Sequence, residues 1–201
     1  MNIRPVEPED AASTAKLLNA IIATGTETSM SDPLTPEEQL LYISSFPSRG
    51  VFLVAELPAP YGIVGMQSIE PCSEKGSPTG HVAEVSTFVA AAYRGRGIAS
   101  ALLRELSGQA WANGIRKLSA TIRADNQSAQ AFYLSKAGFK LVGTMSNHLL
   151  YRGQYIDQVL AERQLSDGDA SYLDPARSTV VNNAGVDQAG RDDAGDALGQ
   201  R

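Results

Sequence analysis

Two arginines alternate with two glycines at Arg94-Gly95-Arg96-Gly97. The segment lies between a strand-like run ending at Val89 and a stretch where Ile98, Leu102, Leu103, Leu106 and Ala110 recur at helical spacing. The first turn of a helix exposes backbone N–H groups without partners and carries partial positive charge. Glycines let that backbone approach a ligand closely, and arginines add charge. Arg94, Gly95, Arg96, Gly97, Ile98, Ala99 and Ser100 therefore read as a cradle for a phosphate or pyrophosphate.

The type of phosphate ligand follows from the spacing. A nucleoside-triphosphate loop of the form GxxxxGK[ST] is absent. The dinucleotide fingerprint GxGxxG is nearly met by Gly95 and Gly97, with Ser100 in the third slot. That reading needs a parallel βαβ unit and an acid about 20 residues further on. Asp125 comes later than that, so a nucleotide-dependent oxidoreductase is the lesser alternative.

The elements that must hold this loop can be read from patterning. Asn2–Val6, Val51–Leu57, Tyr61–Glu70, His81–Val89, Lys117–Arg123, Phe139–Gly143 and about Gln154–Glu162 read as strands. Ala15, Leu18, Ile21 and Ile22 mark a first helix. Thr35-Pro36-Glu37-Glu38 opens a second, with Thr as N-cap, Pro at the first position and Glu at the third. Asn126 caps a fourth, with Ala129, Phe132, Tyr133 and Ala137 on one face and Gly138 ending it. Short links between consecutive strands favour antiparallel neighbours. The expected fold is α+β: one mixed, mostly antiparallel sheet flanked by helices in a single domain.

Charge and composition narrow the partners. The net charge is −5, but Ser166 to Arg201 holds seven Asp against three Arg, leaving 15 acidic and 14 basic residues in the rest. A nearly neutral body speaks against nucleic acid, whose binders carry a basic excess. Residues 1–165 are read as the domain, and 166–201, which lack periodicity and large apolar residues, as an acidic disordered tail. No run approaches the roughly 18 apolar residues of a membrane span. The N-terminus has no apolar leader core, and a single Cys72 suits a reducing compartment, so a cytoplasmic location is expected. His81 and His148 stand far apart and show no metal-ligand spacing, so no metal is expected.

A third pattern, [QR]-x-x-G-x-[GA], is satisfied by Arg94, Gly97 and Ala99. A second block, Asn126, Ala129, Phe132, Tyr133, Gly138 and Phe139, matches N-x-x-A-x-x-[LF]-Y-x-x-x-x-G-F. The two together, in this order and at this separation, resemble the GNAT acetyltransferase superfamily over about Asn2 to Leu165. Within it, Ile3-Arg4-Pro5, Thr35-Pro36-Glu37-Glu38, Glu84, Tyr151-Arg152-Gly153 and Asp157 resemble the phosphinothricin and methionine-sulfoximine N-acetyltransferase branch.

The resemblance implies an enzyme that moves an acetyl group from acetyl-CoA to an amine. It gives Phe88 and Val89 to backbone pairing with the pantetheine arm and Arg94–Ser100 to the pyrophosphate. Asn126, Tyr133 and Lys136 flank the far side of the cofactor. An alkyl ammonium with a pKa of about 10.4 is neutral in only about one molecule in 2,500 at pH 7, so a base is needed. Glu84 matches the glutamate given that role, and Tyr133 matches the tyrosine that protonates the leaving thiolate. A strand bulge near Val89 is expected to free an N–H for the oxyanion.

The branch also uses an arginine in the loop before the Glu84 strand, where this chain has Lys75. The expected acceptor is a small primary amine, with amino acids among the candidates. A protein N-terminal or side-chain acetyltransferase and a non-catalytic acetyl-CoA sensor are the alternatives. Dimers are common in the branch, which leaves a homodimer open.

Overall fold

The computed structural model describes residues 1–170. Strand β1 (Asn2–Pro5) leads into helix α1 (Ala11–Ile22) and helix α2 (Pro36–Ser44). Strands β2 (Val51–Leu57), β3 (Gly62–Pro71) and β4 (Val82–Val89) follow, then helix α3 (Ile98–Ala112) and strand β5 (Lys117–Arg123). Helix α4 (Gln127–Ala131) continues into a wider π turn over Phe132–Lys136. Strands β6 (Lys140–Tyr151) and β7 (Gln154–Gln164) and a short helix α5 (Asp167–Ala170) complete the described chain.

The expected cap of α2 is present. Thr35 Oγ1 accepts from the Glu38 N–H at 3.2 Å, and Glu38 accepts from the Thr35 N–H at 2.8 Å. Two helix-end donors are thereby satisfied by local sequence alone.

The seven strands form one sheet in the order β1-β2-β3-β4-β5-β7-β6. Only the β4–β5 pair is parallel. Helix α3 covers one face: Ile98, Leu102, Leu103, Leu106 and Ala110 pack with Leu53, Val85 and Leu118 in one buried cluster. Helices α1 and α2 cover the other, where Leu18, Ile22 and Ile43 meet Phe52, Val54 and Met66. Truncating a side chain as enclosed as Leu102 or Leu106 to Ala typically costs about 2–5 kcal/mol.

The parallel pair is short. β4 and β5 register only at Val82↔Lys117, Ala83↔Leu118 and Glu84↔Ser119. Beyond these positions β4 stays on β3 as far as Val89, and β5 stays on β7 as far as Arg123. The sheet splits between them, and the split edge of β4 runs up to the glycine loop.

Three expectations differ from this architecture. The β3–β4 register runs without a break from Pro71↔Ala83 to Gly65↔Val89, so there is no bulge near Val89. The irregularity lies one strand over, between Ala55 and Glu56 of β2, and the carbonyl of the skipped Val64 accepts from the Ala90 N–H at 2.9 Å.

Strand β6 is much longer than Phe139–Gly143. It is an edge strand with no buried residue, so no hydrophobic alternation marks it. A register shift near Asn147 (φ 52) is held by its N–H donating to Asp157 Oδ1 at 2.7 Å.

The third concerns the start of the tail. The boundary placed after Leu165 falls inside a small ordered motif. Asp169 is buried and accepts from Arg163 Nη2 and from the Ser166 N–H. The disorder expected for the remainder of the tail lies outside the described residues.

Candidate active site

A cleft of about 330 Å³ opens where β4 and β5 part. The backbone of β4 is turned toward it in a regular way. Cys72 N–H donates to the Val82 carbonyl and Ala90 N–H donates to Val64, so the even-numbered residues aim their backbone groups at β3. The odd-numbered Thr87 and Val89 therefore aim theirs at the edge that β5 has left. Phe88, an even-numbered residue, aims its backbone groups at β3 and also lines the cleft. This differs from the expected use of the Phe88 backbone, and the reason is strand alternation.

The glycine loop forms one end. Gly97 is the N-cap of α3 at φ +80, and Gly95 is at φ +75. A Cβ at either would meet nothing within 4 Å, so the glycines answer to backbone conformation and the space above them is open. Ile98, Ala99 and Ser100, in the first turn of α3, line the cleft.

Arg94 and Arg96 differ in what they do. Arg94 donates through both terminal nitrogens to the Glu27 carboxylate at 2.6 and 2.5 Å, and through Nε to the Val89 carbonyl at 3.0 Å. Three of its five N–H donors are thus engaged within the protein. Arg96 is exposed, lies outside the cleft lining, stacks over the Tyr93 ring at 5.3 Å and makes no ion pair among the described residues.

The other wall comes from α4 and its π turn. Asn126 caps α4, its Oδ1 accepting from the Ala129 N–H, while its Nδ2 donates to the Glu27 carbonyl. Lys136 lines the cleft from the end of the turn. Tyr133 is 5% exposed and is gripped edge-on by Phe132 and Phe139. Its hydroxyl is hydrogen-bonded to Thr87 Oγ1 at 2.8 Å, and Gln67 Nε2 donates to the same Thr87 oxygen at 2.6 Å. Burial pushes the phenol pKa well above its ordinary value; the Thr87 hydrogen bond opposes this, and the charge of Glu84 adds to it.

Glu84 itself is exposed and lines neither this cleft nor a second one. That second cleft, of about 310 Å³, lies on the opposite face of the sheet under α1 and α2. Phe88 belongs to both walls. Glu70, which lines the second cleft, stands directly opposite Glu84 in the β3–β4 ladder.

A family model described as Acetyltransferase (GNAT) family matches residues 19–139. The chain belongs to the GNAT acetyltransferase family. A Bacillus subtilis (strain 168) protein that carries a phosphinothricin acetyltransferase name is 29% identical over 83% of this chain and 100% of its own. The phosphinothricin N-acetyltransferase of Streptomyces coelicolor is 28% identical over 82% of this chain and 96% of its own. The crystal structure of an N-acetyltransferase from Staphylococcus aureus Mu50 aligns with a TM-score of 0.74 at 26% identity, covering 82% of this chain and 98% of that one.

This GNAT chain does place its glycine loop in a parallel β4–α3–β5 unit, as the dinucleotide alternative required. The acid after β5 does not serve that alternative. Both carboxylate oxygens of Asp125 accept from Arg123, at 2.9 and 2.7 Å. Reading the sequence also missed Glu27, Glu70 and Thr87. Nothing local distinguishes them; only the pairing of β3 with β4 and the path of the loop after α1 bring them to the clefts.

Proposed function

We propose that this acetyltransferase moves the acetyl group of acetyl-CoA to a small primary amine, with the thioester lying in the β4–β5 cleft. The observation that carries this reading is the unpaired edge of β4, with Thr87 and Val89 aimed outward, running up to the glycine-capped N-terminus of α3. An extended arm can pair with such an edge while its phosphates meet the helix terminus.

In the proposed reaction the amine nitrogen attacks the thioester carbonyl carbon. A β4 N–H on the open edge, that of Val89, donates to the oxyanion without any bulge. The ammonium proton leaves through a water to Glu84, because Glu84 is exposed and lies outside the cleft lining. The carbon–sulfur bond then breaks, and the departing thiolate takes its proton from the Tyr133 hydroxyl.

An unperturbed phenol near 10 and thiol near 8.5 differ by about 1.5 units, or roughly 2 kcal/mol. Burial raises the Tyr133 phenol further, so the transfer is uphill and is drawn forward by departure of the acetylated product. Arg96 and the loop N–H groups carry the phosphates in this reading, while Arg94 holds the loop.

The test is release of free CoA thiol when the protein is mixed with acetyl-CoA and a primary amine. Amine-dependent release that falls sharply in Tyr133→Phe supports the reading. Tight acetyl-CoA binding with no release for any amine would make the chain a sensor instead.

A further inference from the structure

The second cleft bears on the acceptor. It lies between α1 and α2 and the face of β2, β3 and β4 that carries Ser86 and Phe88, and Phe88 also lines the first cleft. Much of its wall is apolar: Leu18, Met30, Leu34, Phe52 and Met66 join Phe88. Its charged residues are Glu38 and Glu70, and among the described residues no Lys, Arg or His lines it.

The polar groups are arranged unequally. Glu38 is occupied at the α2 cap. Glu70 accepts one hydrogen bond, from the Tyr42 hydroxyl, and its remaining acceptor positions are available. Gln39 is 2% exposed and lines the cleft as an uncharged polar group.

We infer that this cleft seats the acceptor, and that the acceptor is an amine cation on an uncharged, largely apolar body: a short alkylamine or arylalkylamine rather than an amino acid or a phosphinate. The inference rests on the acetyl transfer proposed above and names its substrate class. Glu70, with Glu84 beside it in the ladder, attracts the ammonium, and the apolar wall takes the body. A carboxylate or phosphinate in the same place would face Glu70 and Glu38 with no counter-charge on the wall. Like charges brought together in a partly desolvated site are strongly selected against.

The experiment compares kcat/KM, by thiol release from acetyl-CoA, for 2-phenylethylamine and hexylamine against phosphinothricin, methionine sulfoximine and glutamate. The expected result is a preference of about 100-fold or more for the first two. Glu70→Gln is expected to lower kcat/KM for 2-phenylethylamine about tenfold while the Kd for CoA stays unchanged. Equal or better acetylation of phosphinothricin or methionine sulfoximine overturns the inference and leaves acetyl transfer standing. No acetylation of any of the five, with acetyl-CoA bound, overturns both.

Discussion

Arg94 and Glu27 meet end to end, two guanidinium nitrogens on two carboxylate oxygens, across 67 residues of chain. The contact ties the loop after α1 to the glycine loop.

Arg94→Ala should destabilise the fold by about 1–2 kcal/mol, as expected for losing a half-buried bidentate pair, measured by denaturant unfolding. Arg96→Ala should leave stability unchanged and weaken CoA about tenfold or more by calorimetry, since its charge is uncommitted. The reverse pattern would mean that Arg94 is the phosphate ligand.

Tyr133→Phe should lower kcat by about 100-fold or more with little change in CoA affinity, because only the hydroxyl is removed from a packed ring. Steady-state kinetics beside calorimetry check this. Near-normal turnover would remove Tyr133 as the acid.

Thr87→Val should cost about 1–3 kcal/mol of stability, since it strips partners from both the Tyr133 hydroxyl and the Gln67 amide in the buried wall. Thr87→Ser keeps the hydroxyl and should restore most of the loss. A loss in Thr87→Ser with none in Thr87→Val would mean that the methyl group matters, not the hydrogen bonds.

Asp10 gives a prediction in acid. Hydrogen bonds from Arg4 hold its carboxyl below the usual value of 3.8, helped by the Glu7 N–H and opposed by burial. A depressed folded pKa gives stability that is present above 3.8 and lost as pH falls through the folded value. The stability difference between wild type and Asp10→Asn should therefore be full at pH 6 and shrink toward pH 3. A difference independent of pH would contradict the ion pair as its source.

The sequence was most legible where structure is local. The α2 capping box, the Asn126 cap of α4 and the strand spans Val51–Leu57 and Lys117–Arg123 each follow from a few adjacent residues. The glycine loop and Tyr133 were legible as parts of one cleft wall because both lie in contiguous motifs. Strand β6 was not, because an edge strand with both faces wet has no alternation to betray it. Glu27 and Glu70 were not, because their positions depend on a loop path and on the register across a long connection. The pairing of Arg94 with Glu27 was not, because it needs the path of the loop after α1.

The central claim is that the glycine loop and the open edge of β4 bind acetyl-CoA. The most direct measurement is the thermal shift of the protein with acetyl-CoA, CoA, NADH, NADPH and ATP at one concentration. A ligand at 100 times its Kd stabilises a protein by about 2.7 kcal/mol, which is readily seen. The account predicts a shift with acetyl-CoA and CoA alone. A shift with a dinucleotide and none with CoA would contradict it.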